Sequence, residues 1–322
     1  MRGRSVAIGP LALFRHGPPS YILLLTSHHF PVTILPLDPI ILASDAHRLA
    51  LLALAEDGGR DITSMMTVGE EQQGRAVIEI RHETVLAGAA YADATVAACR
   101  LPPMAWRAQE GERCPAGSVV AELSGPLRDI LRAERVLLNL LQRASGIATA
   151  TRRYADAIAH TSCRVLHTRK TAPGLRLFDV AAVVAGGGVM HRLDLAQTVM
   201  VKDNHWQALR AARRTLKDAL DPARAAGCRE LYVEVETLAQ VKEACAAGAT
   251  RLLVDNQTPE IVAEWGTVAR RCQPGIEIEA TGGITLENVA RYAESGADFV
   301  SIGALTHSVV AADIALEVRS KK

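Results

Sequence analysis

"LYVEVETLAQVKEACAAGATRLLVDN", from Leu231 to Asn256, decides the fold. It opens on one β-like run, 231–236, and closes on another, 251–256. The segment between them reads as a helix. Thr237 and Gln240 have capping-box spacing, and Gly248 stands where a helix ends in a left-handed residue. Strand, helix, strand at a period near 20 residues is the βα unit of a parallel sheet. The unit repeats downstream, with "IEIEATGG" (276–283) and "FVSIGALT" (299–306) as further strands. Thr258-Pro259 reads as a cap followed by proline in the first helical turn. Thr285 reads as the next cap, and Gly296 as the end of that helix. Upstream, "VLHTRKT", "VVAGGG" and "TVMVKDN" bring the strands to about seven. Apolar runs flanked by helices on one side only point to a closed or nearly closed α/β barrel.

The first half is less regular. Residues 45–56, "DAHRLALLALAE", have helical apolar spacing, with Asp45 or Ser44 as N-cap. "GRAVIEIRHETVLAG" alternates and reads as strand. An amphipathic helix begins near Leu127, with a break expected at Gly146. This first unit is α+β. Three spans are expected: 38–140 as an N-terminal unit, with 306–322 a candidate to complete it; 141–305 as the barrel; and 1–37 as a foreign extension, either a disordered tail or upstream DNA translated from a misplaced start codon. Prolines interrupt that extension, and its apolar run at 21–26 is too short for a signal core or a membrane span.

Charge excludes several function classes. Thirty-six basic residues meet 35 acidic ones, so no global basic field draws nucleic acid. Aromatics at 4% supply no base-stacking platform. The six cysteines are never closer than 15 residues, which gives neither a zinc knuckle nor a disulfide framework. They read as small hydrophobes in a reducing, cytoplasmic setting.

In α/β barrels the functional residues gather at the C-terminal ends of the strands. The polar residues at those ends are Arg169 and Lys170, His191 and Arg192, Lys202 and Asp203, Glu234 and Glu236, and Asp255 and Asn256. The last two strands end in Gly282-Gly283 and Gly303. A solvated helix face would space its charges by three or four along one element. These converge only in a barrel mouth. Two arginines and two lysines call for several anionic groups on the ligand, because the guanidinium fork suits carboxylate or phosphate. The terminal glycines read as a phosphate cradle. Glu234 and Asp255 could pair with the lysines or hold Mg²⁺ beside a phosphorylated substrate.

The stretches "EDGGRDIT", "AERVLLNLLQRASGIATAT", "TRKTAPGLR", "GGGVMHR", "VKDNH", "VEVET", "LLVDN", "EATGGIT" and "VSIGALTHS" keep their order over 35–318. On these the chain resembles the quinolinate phosphoribosyltransferases, the carboxylating nicotinate-nucleotide pyrophosphorylases of NAD biosynthesis. The resemblance implies an N-terminal α/β sandwich domain on a C-terminal incomplete, open α/β barrel, usually as a homodimer. It implies transfer of phosphoribosyl from phosphoribosyl pyrophosphate to quinolinate, with loss of pyrophosphate and CO₂. Carried over by motif, Arg169 and Arg192 hold the quinolinate carboxylates, with His191 lining that pocket and Arg135 reaching it from the neighbouring subunit. Lys170 and Lys202 contact phosphoribosyl pyrophosphate, and Glu234 and Asp255 face the ribose or Mg²⁺. Gly282, Gly283, Gly303 and Ala304 take the 5′-phosphate, and Thr168 and Thr281 flank these groups. Several positions depart from the family pattern. His167 replaces an aspartate, Met190 an asparagine, Asp194 a glycine and Trp206 a small aliphatic residue.

The alternatives are a paralogue acting on another pyridine carboxylate, a molybdenum-transport-associated paralogue, a Schiff-base aldolase using Lys170 or Lys202, and an inactive barrel scaffold. Lys202 in "KDNH" argues against the second. Two lysines beside phosphates argue against the third, which needs a lysine of depressed pKa in an apolar pocket.

Overall fold

The computed structural model describes residues 37–319. The expectation for 1–37 therefore lies, Leu37 apart, outside the described residues. One four-stranded antiparallel sheet runs in the order Ile314–Arg319, Gln73–Ile80, Val119–Pro126, Ala105–Trp106. In Gln73–Ile80 every second residue is buried, Ala76, Ile78 and Ile80, because one face of the strand meets the core. The chain's last strand returns to this sheet, with Leu316 opposite Ile78 and Ile314 opposite Ile80.

The first helix runs Pro39–Glu56, beginning six residues before the expected start. The cap is Asp38, whose carboxylate accepts the N–H groups of Ile40 and Ile41, with proline in the first turn. Asp45 lies inside this helix, where it accepts from Arg48 and from the Tyr91 hydroxyl. The helix Leu127–Ala157 is continuous, so Gly146 does not break it. Its stripe of Ile130, Leu137, Leu141 and Ile147 is fully buried, and that packing outweighs the propensity cost of one glycine. The glycine serves close approach. A Cβ at 146 would lie 2.2 Å from the Val310 carbonyl oxygen.

The second sheet is parallel and six-stranded. Its order is Arg164–Leu166, Phe299–Ser301, Glu277–Thr281, Arg251–Asp255, Leu231–Val235, Val199–Val201. The helices Leu238–Ala246, Pro259–Cys272 and Val289–Glu294 alternate with its later strands. Gly248 and Gly296 have φ of +78° and +86°, as C-terminal helix stops require. Two local expectations fail. "VVAGGG" is not a strand, because Val183 to Ala185 end the helix Arg176–Ala185, whose buried face includes Phe178 and Val183. Only Val189 beyond it bridges, in parallel, to Leu166. Thr285 does not cap the third helix, which begins at Val289. Asn288 instead folds back to accept the Thr285 N–H. Among the described residues no ladder joins Val199–Val201 to the Leu166–Val189 side. The barrel is open there.

Candidate active site

The C-terminal strand ends converge on one cleft of about 580 Å³. Parallel strands point the same way, so the residues that follow each one meet at a single end of the barrel. Thr168, Arg169, Lys170, His191, Arg192, Lys202, Glu234, Asp255, Thr281, Gly282 and Gly283 all line it. Arg135, Gly303 and Ala304 do not. Arg135 is exposed on the long helix and is not one of the residues lining the cleft. Gly303 adjoins the cleft without lining it: a Cβ there would sit 3.1 Å from Lys170 Cδ. Ala304 begins a four-residue helix.

One end of the cleft is cationic. Burial lowers the Arg192 pKa, and the Arg169 charge beside it lowers it further. Two guanidiniums held this close repel each other until an anion lies between them. Arg169 Nε is buried and has no hydrogen-bond partner among the described residues. A buried donor left unpaired costs about 1–3 kcal/mol, a cost that an acceptor reaching this atom would remove.

The other end mixes charge. Lys202 Nζ lies 2.5 Å from Glu234 Oε2, and the Trp206 indole N–H donates to the Glu234 carbonyl at 2.8 Å. Trp206 is thus a buried brace under the acid, and its neighbour Asp203 donates its main-chain N–H to Glu234 Oε1. Burial, and then the nearby Glu234 carboxylate, raises the Asp255 pKa, while Lys202 opposes the shift. Two carboxylates this close gain from a shared cation. Among the described residues no group of three or more His, Cys, Asp or Glu converges on a metal position. The pair suits Mg²⁺ that keeps its waters and binds substrate phosphate, since such ions use one or two carboxylates. Gly282, at φ +83°, lies where a Cβ would come within 2.2 Å of Asn256 Oδ1, so no side chain fits there.

Glu279, Ser301, Met200 and Leu253 also line the cleft, and sequence reading did not pick them out. Alternation in "IEIEAT" was the available signal for Glu279, which shares a strand face with Glu277 and Thr281. His167, noted only as a departure, is buried against the His191 main chain.

Two buried groups predict the acid limb of stability. Burial pushes the His167 imidazole down from 6.5 to about 4, against the pull of its hydrogen bonds to Thr168 and His191. The unfolded chain therefore gains this proton before the folded one does. Stability falls between pH 6.5 and pH 4, at most about 1.4 kcal/mol per pH unit from this group. Burial alone would raise the Glu279 carboxyl, but His191 and Arg251 outweigh it and hold it at about 2. Its contribution is present above about pH 4.5 and is lost as pH falls towards 2. Urea melts of His167→Asn at pH 7 and pH 5 should show a smaller loss than the parent. An identical loss would contradict a neutral buried His167.

Fold and site together define a barrel enzyme of the phosphoribosyltransferase class, acting on anionic small molecules. The quinolinate phosphoribosyl transferase N-terminal domain matches residues 61–145 and the C-terminal domain residues 147–317. A probable nicotinate-nucleotide pyrophosphorylase [carboxylating] of Bacillus subtilis is 39% identical over 82% of this chain and 90% of its own length. The chloroplastic nicotinate-nucleotide pyrophosphorylase [carboxylating] of Arabidopsis thaliana is 39% identical over 85% of this chain and 83% of its own length. The structure of the nicotinate-nucleotide pyrophosphorylase from Francisella tularensis superposes with a TM-score of 0.80 at 32% identity, covering 86% of this chain and 97% of that one. The chain belongs to the quinolinate phosphoribosyltransferase family. Among the described residues no helix is long and apolar enough to cross a membrane.

Proposed function

We propose that this cleft joins quinolinate to phosphoribosyl pyrophosphate, giving nicotinate mononucleotide, pyrophosphate and CO₂. The observation that carries this reading is the pair Arg169 and Arg192, set close enough to repel, with one buried donor unpaired. A ring bearing two neighbouring carboxylates supplies the charge and the acceptors. Lys170 and Lys202 face the phosphates. On this reading Glu234 and Asp255 face the ribose.

The chemistry asks little acid–base work of the chain. The ribose C1–oxygen bond breaks, pyrophosphate carries off the electron pair, and the pyridine nitrogen bonds to C1. Positive charge builds on the ribose as the leaving group departs, and a nearby carboxylate stabilises it. The alkylated ring is then an electron sink: its adjacent carboxylate leaves as CO₂, and the ring carbon takes a proton. Glu234 and Asp255 would hold Mg²⁺, which when bound neutralises charge on the phosphates. Purified protein with quinolinate, phosphoribosyl pyrophosphate and Mg²⁺ should release CO₂ in step with pyrophosphate. No CO₂ from quinolinate, or equal turnover of nicotinate, would refute the assignment.

A homodimer with shared sites belongs to the same proposal. Arg135 is exposed and makes no hydrogen bond or ion pair among the described residues, as suits a side chain offered to a neighbouring subunit. Arg135→Ala should be inactive alone and regain activity when mixed with a Lys202→Ala subunit. Absence of rescue would count against sharing. A cytoplasmic setting is supported by the free cysteines, four of them buried.

A further inference from the structure

Beneath the cleft runs a buried chain of charge. Arg251, 4% exposed, stacks between two rings, its guanidinium carbon 4.4 Å from the Tyr232 centroid and 4.1 Å from that of Phe299. It donates to Glu277 at 2.8 Å and to Glu279 at 3.2 Å. Glu279 in turn lies 3.2 Å from His191 Nε2, and both side chains are almost fully buried. The Arg192 backbone at one nitrogen and Glu279 at the other together decide where the ring proton sits. The Arg192 N–H donates to His191 Nδ1 at 2.8 Å. A nitrogen that accepts holds no proton, so a neutral His191 carries it on Nε2 and donates to Glu279. The ring is held at both nitrogens, and the His191 N–H is held by His167 Nε2 at 2.9 Å.

We propose that Glu279, backed by Arg251, is the positioning residue of the diacid end of the cleft. It holds His191 as the Nε2–H tautomer and, through Nδ1, holds the Arg192 main chain where its guanidinium meets a substrate carboxylate. The inference rests on the assignment of Arg192 to quinolinate. A carboxylate buried under an anion pocket would by itself repel the substrate. Its place there fits a group that acts on the histidine and whose charge Arg251 cancels. The aromatic sandwich keeps that guanidinium in place without opening it to water, because each ring face attracts the cation.

Glu279→Gln keeps the shape and removes the charge. Histidine ¹⁵N spectra without ligand, with His191 assigned through His191→Asn, read the tautomer. Equilibrium titration with quinolinate alone reads affinity. The parent should show His191 protonated at Nε2. The variant should mix tautomers and bind quinolinate about tenfold more weakly, by analogy with carboxylates behind metal-bound histidines, whose loss costs about 10–100-fold. A parent protonated at Nδ1, or a folded variant with unchanged affinity, would overturn the proposal. Should Glu279→Gln not fold, the parent spectrum and Glu279→Asp, which draws the carboxylate back by one methylene, decide it on the same terms. A parent that binds no quinolinate while the variant still loses the single tautomer would refute the substrate and leave the clamp on His191 standing.

Discussion

Arg192→Ala is expected to weaken quinolinate binding by about 2 kcal/mol, roughly 30-fold. A charge-assisted hydrogen bond contributes about 1.5–3 kcal/mol, and a bidentate fork lies towards the upper part of that range. The loss is offset in part because removing Arg192 also removes its repulsion of Arg169, which helps to lower the Arg192 pKa in the free protein. Nicotinate, with one carboxylate, should already bind the parent far more weakly, and the substitution should cost it less. Titration of both ligands against parent and variant tests the assignment. Equal affinity of the parent for the two ligands would show that the arginines do not read a diacid.

Arg143→Leu is expected to cost about 3–5 kcal/mol of folding stability, the range for stranding one member of a buried ion pair. Asp179 is fully buried and takes a fork from Arg143, Nε and Nη2 each at 3.0 Å. The same carboxylate accepts the Ala172 N–H at 3.1 Å, within the loop that follows Arg169 and Lys170. The pair therefore ties the long helix to the cationic end of the cleft, and affinity for anions should fall with stability. Adding Asp179→Leu to Arg143→Leu should recover part of the stability, because no charge is then left buried alone. A double variant less stable than the single one would show that the contact acts through packing.

Local rules reached much of this molecule. The later strands, their helices and the two left-handed glycines follow from period, caps and conformational freedom, which are properties of neighbouring residues. Placing charge at strand ends was enough to gather Arg169, Lys170, Lys202, Glu234 and Asp255, because parallel strands deliver their ends to one side; His191 and Arg192 follow no strand and reach the cleft beyond the single bridge of Val189 to Leu166. Two of the misses share a cause. "VVAGGG" has the composition of a strand, and Gly146 that of a helix break. In each case distant partners decided: the apolar face of Arg176–Ala185 in one, the Val310 backbone in the other.

By itself, then, the sequence determined the βα rhythm, the cationic mouth and the kinship of the chain. Only the tertiary structure decided that Trp206 braces Glu234 and that a buried acid faces His191 while Arg251 lies stacked between two rings. Period and spacing report which face of an element is apolar. They do not report which buried charges meet across strands, because desolvation makes those contacts matter and desolvation exists only once the barrel has formed.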